Sequence, residues 1–293
     1  MTRPLPCGTD ADCGQDRHIR LNGLSFHYVE WGNRSAPALV LLHGLRSYAR
    51  TFEPLANVLK EHFRIIALDQ RGRGLSDWDP GQNYYTDQYV ADLSALVDAL
   101  ELERFHLLGH SLGGINALSY SSLHPERLFT LILEDYGPGA NQGGLGSERI
   151  RRELQNTPMQ FRDWNEASEF WRRARPNVTP QALQSRLHHS LRETEQGIAW
   201  RHDQAGIAQT RLSPDPARSV PDLWPVVDTL ACPVLLIRGK NSDYLTADIA
   251  AQMEARNPNI VVNHIDGAGH YVHDDNPADF QNSVKTFLAD HRS

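Results

Sequence analysis

Five residues, Gly109-His110-Ser111-Leu112-Gly113, constrain this chain more than any other feature. They stand between the apolar run 105–109, which reads as a buried strand, and the helical pattern 112–123. A serine on a sharp strand-to-helix turn takes a strained backbone conformation. Small residues at 109 and 113 relieve the crowding, and the hydroxyl projects at the helix N-terminus. A serine in an ordinary glycine-rich turn is the plainer reading, but such a turn does not need a strand on one side and a helix on the other.

The surroundings fit a sheet with helices on both faces. Residues 17–31 form two alternating runs around Asn22-Gly23, a dipeptide favoured in tight hairpin turns. Short apolar runs follow at 38–42, 63–69, 105–109, 128–135 and 233–239, with helix candidates at 49–61, 86–100, 112–123, 246–257 and 277–291. Strands that alternate with helices predict a doubly wound, mostly parallel sheet. Between 137 and 225 the rhythm stops: no strand-like run is evident, only amphipathic stretches rich in Arg and Trp. The expected organisation is therefore a tail over 1–16, a core over 17–136 and 226–293, and a helical cap over 137–225. The glycine-rich entry to that cap lacks the GxGxxG register or Gly-Lys-Ser/Thr ending of a phosphate cradle.

Composition removes several classes of function. A net charge of −7 opposes a polyanion-binding surface, so nucleic acid is not an expected partner. No run approaches the roughly 18 apolar residues of a membrane span, and the first residues lack the apolar core of a signal peptide. The expected location is cytoplasmic. Cys7, Cys13 and Cys232 cannot build a disulfide framework, although Cys7 and Cys13 are near enough in sequence to pair. None has a metal-ligand spacing, and neither a metal nor a cofactor is expected.

A serine hydroxyl needs a base, and position selects among fourteen histidines. His270 lies on a glycine-rich loop after the apolar run 260–265 and before the last helix, where its imidazole reaches the carboxyl edge of the sheet. His273 is the nearest competitor. A metal site of His270, His273, Asp274 and Asp275 has the right ligand types, but adjacent acids on a loop are more often solvated. The imidazole in turn needs a carboxylate. Asp243, after the strand before the last, is the favoured acid; Asp135, at the end of the strand that follows the nucleophile helix, is the alternative. Backbone N–H groups must meet the oxyanion, and the amides of Leu45 and Leu112 are the natural pair. His43 is expected to support the loop that carries Leu45.

His43-Gly44, the block from Asp69 to Asp77, Gly109 to Gly113, Asp243 and Gly269-His270 occur in an order that resembles the α/β-hydrolase superfamily. The resemblance spans most of the chain outside the cap and the tail. It implies an eight-stranded, mostly parallel sheet with a first antiparallel strand, a lid after the sixth strand, and an active site beneath it. Arg71-Gly-Arg-Gly then becomes a turn after the fourth strand, not an RNA contact. Related dehalogenases and epoxide hydrolases carry Asp at the elbow, whereas Ser111 points to acyl transfer. Certain cap-bearing relatives take the acid from the strand after the nucleophile, where this chain has Asp135.

The cap segment carries twelve Arg, no Lys and ten acids, and four of the six tryptophans. Trp164, Trp171 and Trp200 are candidates for aromatic walls of a substrate pocket, with an Arg reading a carboxylate. The alternative is a cap whose arginines pair with acids and whose tryptophans form its core. The expected substrate is a small or medium carbonyl compound, an ester or lactone, since no long apolar stretch marks an interfacial lipase lid. Carbon–carbon hydrolysis of a β-diketone type, cofactor-free perhydrolase chemistry, and a ligand-sensing receptor that keeps the triad share the same residues. Expected partners are the small molecule and, at most, a second copy of the chain in a homodimer.

Overall fold

The computed structural model describes residues 14–140, 143–218 and 222–291. Cys7 and Cys13, and hence any bridge between them, lie outside those residues. Strands β1 (Gln15–Leu21) and β2 (Leu24–Trp31) form the opening hairpin, and Asn22 and Gly23 both take positive φ, 47° and 83°, as a two-residue turn of the favoured hand requires. Next come β3 (Ala38–Leu42), α1 (Glu53–Leu59), β4 (Arg64–Leu68), α2 (Thr86–Ala99), β5 (Phe105–His110), α3 (Leu112–Leu123) and β6 (Leu128–Glu134).

The chain then leaves the sheet through α4 (Leu145–Asn156), β7 (Gln160–Phe161), α5 (Trp164–Ala174), α6 (Pro180–Ser190), β8 (Leu191–Thr194), β9 (Gly197–Trp200), α7 (Gln204–Leu212) and α8 (Trp224–Thr229). It returns as β10 (Val234–Gly239), α9 (Ala247–Arg256), β11 (Ile260–Ile265), α10 (Val272–Asp275) and α11 (Pro277–Asp290).

The main sheet has eight strands in the order β1-β2-β4-β3-β5-β6-β10-β11. Only β2 runs against its neighbours: its pairings with β1 and β4 are antiparallel, and every pairing from β4 to β11 is parallel. The antiparallel strand is thus the second of the chain, where the first was expected. Burial on both faces explains why β3 and β4 read as continuous apolar runs without alternation. Side chains one apart serve opposite cores: Leu39 and Leu41 join α1 and α11, while Val40 and Leu42 join α2 and α3. From β3 the chain crosses first to β4 on one side and then to β5 on the other, which opens a crevice at the carboxyl ends of β3 and β5.

The segment between β6 and β10 departs from an all-helical expectation. It contains a three-stranded antiparallel sheet, β7-β9-β8, beside its helices. These strands are two to four residues long, too short for the period-two alternation that marks a strand in sequence. They close a small core of Phe161, Trp171, Leu183, Leu187, Ile198 and Trp200. Trp171 and Trp200 meet edge to face, with ring centres 5.7 Å apart.

Ion pairs fasten this insert to the sheet domain. Arg186 of α6 pairs with Asp274 of α10, Arg46 of the loop after β3 pairs with Glu153 of α4, and Arg175 lies over the Tyr271 ring with its centre 3.9 Å from the guanidinium carbon. The arginines therefore reach across to acids and aromatics of the core as well as to acids within the insert. Among the described residues no helix is long and apolar enough to cross a membrane.

Candidate active site

Ser111 leaves β5 and enters α3 with φ 53° and ψ −111°, a conformation that side-chain-bearing residues rarely adopt. The fold tolerates it because the residues two positions away on either side, Gly109 and Gly113, are glycines. A Cβ on Gly109 would lie 2.2 Å from the Gly113 carbonyl oxygen, and one on Gly113 would lie 2.1 Å from that of Leu42. Ser111 N–H donates to the Glu134 carbonyl at 3.1 Å, and the Ser111 carbonyl accepts the first α3 hydrogen bond from Ile115 at 3.0 Å. The hydroxyl is thereby fixed above the end of β5.

His270, on the loop from β11 to α10, meets that hydroxyl: its Nε2 is 2.9 Å from Ser111 Oγ. Nδ1 is 2.7 Å from Asp135 Oδ2. Asp135 follows β6, the neighbour of β5, and turns its side chain into the site through a positive φ of 48°. Gly239 N–H and the Ser242 hydroxyl also donate to its carboxylate, at 3.2 and 2.5 Å. Burial pushes the Asp135 carboxyl up, to about 8, and these donors oppose that rise only in part. Burial also depresses His270, to about 3, and the nearby Arg149 and Arg175 act in the same direction. The imidazole therefore rests neutral, with Nε2 as acceptor and Nδ1–H as donor.

Asp243 does not occupy the position expected of it. Arg149 of α4 holds both its oxygens, through Nε at 2.7 Å and Nη2 at 2.8 Å, so the carboxylate ties the insert to the β10 loop. The residues of that loop that reach the site are its neighbours, Ser242, which donates to Asp135, and Tyr244, whose ring centre is 4.5 Å from that of His270.

His273, the other histidine of the loop, lies behind the site. Its Nδ1–H donates to Glu134 Oε1 at 2.7 Å, and its Nε2 is 3.0 Å from Thr51 Oγ1. Burial opposes its charge, but the Glu134 and Asp274 carboxylates outweigh burial and raise it. His110, next to the nucleophile, donates Nε2–H to the His270 carbonyl at 2.9 Å and so fixes the backbone of that residue. His110, Glu134 and His273 bring ligand-type atoms within 4.8 Å of one another. Both His273 nitrogens and one of His110 are already engaged in hydrogen bonds, which makes the cluster a buried brace rather than an open metal cage. The four residues weighed as a metal set from sequence are dispersed: His270 faces Ser111, His273 faces Glu134, Asp274 faces Arg186, and Asp275 accepts from Gly269 N–H.

Leu45 and Leu112 border a cavity of about 600 Å³ together with Ser111. Leu112 opens α3, where first-turn amides lack intrahelical acceptors. Leu45 is held from behind, its carbonyl accepting from Arg73 Nε at 3.1 Å. His43 braces the same loop. Gln70 N–H donates to its Nε2 at 3.1 Å, which leaves the proton on Nδ1 to reach the Gly44 carbonyl at 2.8 Å. Burial depresses the ring to about 4, so it stays uncharged.

Over the cavity lie α4, through Ile150 and Leu154, and α7, through Thr210 and Arg211. The tryptophans expected as its walls are elsewhere. Trp171 and Trp200 are buried in the insert's own core, and Trp164 packs on that core and borders a separate small cavity with His188 and Arg201. Tyr85 and Tyr244 are the aromatic residues that line the space beside Ser111.

Comparison with known proteins agrees with this fold. Residues 37–277 match the family described as alpha/beta hydrolase fold. A 2-(acetamidomethylene)succinate hydrolase of Mesorhizobium japonicum is 28% identical over 93% of this chain and 94% of its own length. A Bacillus subtilis protein provisionally named 2-succinyl-6-hydroxy-2,4-cyclohexadiene-1-carboxylate synthase is 30% identical over 91% and 96%. The crystal structure of an E-2-(acetamidomethylene)succinate hydrolase superposes with a TM-score of 0.83 at 26% identity, covering 94% of this chain and 99% of that one. On these grounds the chain belongs to the α/β hydrolase family.

Proposed function

We propose that this hydrolase cleaves a small or medium carboxylic ester or lactone through an acyl-enzyme on Ser111. The carrying observation is the unbroken line Ser111 Oγ, His270 Nε2, His270 Nδ1, Asp135 Oδ2, with links of 2.9 and 2.7 Å, at the floor of a cavity large enough for such a substrate.

Ser111 Oγ attacks the carbonyl carbon as His270 Nε2 takes its proton. Asp135 keeps the proton of Nδ1 in place and stabilises the imidazolium. The carbonyl oxygen gathers negative charge between the amides of Leu45 and Leu112. Collapse of the tetrahedral intermediate expels the leaving group, which takes the proton from His270. Water, deprotonated by the same imidazole, then releases the acid and restores Ser111. The insert acts as a lid, with α4 and α7 forming the roof.

Ser111→Ala should abolish both turnover of p-nitrophenyl butyrate and labelling by a fluorophosphonate, with an unchanged melting temperature. Retained labelling would remove Ser111 from the mechanism. Turnover by the wild-type chain separates an enzyme from a ligand-sensing receptor, which binds tightly and does not cycle.

One further reading has a specific observation behind it. The similarity to 2-(acetamidomethylene)succinate hydrolases, across nearly the whole of both chains, favours a substrate in which the acyl group is bonded to nitrogen. The same residues serve it, with His270 delivering its proton to the departing nitrogen. A matched ester and amide pair distinguishes the two by kcat/KM.

A further inference from the structure

Four arginines of the insert that lie near the core have carboxylate partners. Arg149 holds Asp243 and Glu153, Arg175 meets Glu153, Arg186 meets Asp274, and Arg218 meets Asp87. Arg211, in the last turn of α7, has none among the described residues, and its Nε and Nη2 are buried without an acceptor. It borders the cavity that holds Ser111. The groups that bear most on its charge, after burial itself, are Tyr89, Arg73, Tyr244 and Tyr85. None is a carboxylate and one is a second cation.

That second cation adds to the imbalance. Arg73 is fully buried and bonds to the carbonyls of Leu45 and Arg71 and to the Tyr89 hydroxyl. These groups accept hydrogen bonds but do not cancel charge, and Arg73 Nη2 also lacks an acceptor. Arg73, fully buried, and Arg211, half-buried with Nε and Nη2 enclosed, have no carboxylate partner among the described residues, and such charges are costly unless an anion joins them. Water filling the cavity would satisfy N–H groups but would leave both charges. At the cavity's lining, Arg151 and Arg211 stand beside Arg218, which Asp87 already pairs, and the one acid of the lining, Glu148, is exposed.

We propose that Arg211 is a specificity-determining residue that binds a carboxylate carried by the substrate, at a point distinct from the carbonyl that Ser111 attacks. The planar carboxylate matches the guanidinium fork in shape and in charge. Ile115, Ile150 and Leu154 on the cavity wall suit an apolar spacer between the two ends. The substrate class is thus an acyl compound with one anionic end, such as the monoester of a dicarboxylic acid. For the bond cleaved, this rests on the reading of Ser111 above; for binding, it does not.

The test uses the full chain carrying Ser111→Ala, so that ligands persist, and calorimetric titration with monomethyl glutarate and with its neutral carboxamide isostere. The expected result is at least about tenfold tighter binding of the anion, a preference that Arg211→Gln erases while affinity for the carboxamide changes by less than about threefold. Arg211→Lys, which keeps charge but loses the fork, should retain part of the preference, and it serves as the readout if Arg211→Gln does not fold. Equal affinities, undetectable binding of both ligands, or a preference undiminished in either Arg211 variant overturns the assignment. Fluorophosphonate labelling of the wild-type chain reports on Ser111 separately, so anion binding without labelling would remove the nucleophile and leave Arg211 in place.

Discussion

Asp135 Oδ2 and His270 Nδ1 are 2.7 Å apart in a fully enclosed pair, while Asp243 spends both oxygens on Arg149. Asp135 directly follows β6, its N–H donating to the Ile237 carbonyl of the neighbouring β10 at 2.8 Å, whereas Asp243 lies further out, on the loop after Gly239 ends β10.

The resting state of His270 sets the acid side of the pH profile. A base that is depressed to about 3 by burial remains unprotonated, and so competent, well below the ordinary histidine value near 6.5. The acid limb of kcat/KM should therefore fall clearly below pH 6.5. Arg149→Gln removes one of the cations that disfavour the imidazolium and should move the limb upward. A limb at or above 6.5 in the wild-type chain would show that His270 is not held neutral in this way. Residual activity after preincubation at each pH separates titration from unfolding.

Gly109→Ala should be severely destabilising, by at least about 3 kcal/mol, because the new Cβ meets backbone atoms of Gly113 and Gly114 that cannot yield without opening the elbow. Urea denaturation measures it. A loss under about 1 kcal/mol would mean that the turn relaxes more easily than its packing indicates.

Trp171→Ala tests where the tryptophans act. Its side chain is wholly buried among Phe170, Trp200 and the insert's apolar core, so truncation should cost about 3–5 kcal/mol in the stability of that region. The kcat/KM ratio between a small and a bulky ester should stay within about twofold. A large change in that ratio without a change in melting temperature would return Trp171 to the pocket.

The sheet was legible because strands covered on both faces must be apolar throughout, and runs such as Ala-Leu-Val-Leu-Leu at β3 carry that signature without a partner. Ser111 and His270 were legible because their local turns are built from glycine and stand at fixed places in the strand–helix order. The acid was not, since Asp135 and Asp243 both follow strands, and the Arg149 that occupies Asp243 comes from α4 in the insert, far away along the chain. The small sheet of β7, β8 and β9 escaped notice because strands of two to four residues carry no period. Tryptophans Trp164, Trp171 and Trp200 announced an aromatic cluster but not which side of the insert it faces. An arginine of the insert reading a carboxylate was expected, but nothing in sequence singled out Arg211, since what distinguishes it is having no acid beside it among the described residues.

The central claim, a reaction centre of Ser111, His270 and Asp135, is tested most directly by kcat/KM of Asp135→Asn and Asp243→Asn on one ester. Asp135→Asn should lose about 10³–10⁴-fold, as expected when the imidazole loses the carboxylate that fixes its tautomer. Asp243→Asn should lose no more than about tenfold, through a loosened α4. A large loss in Asp243→Asn with Asp135→Asn near wild type would contradict the account.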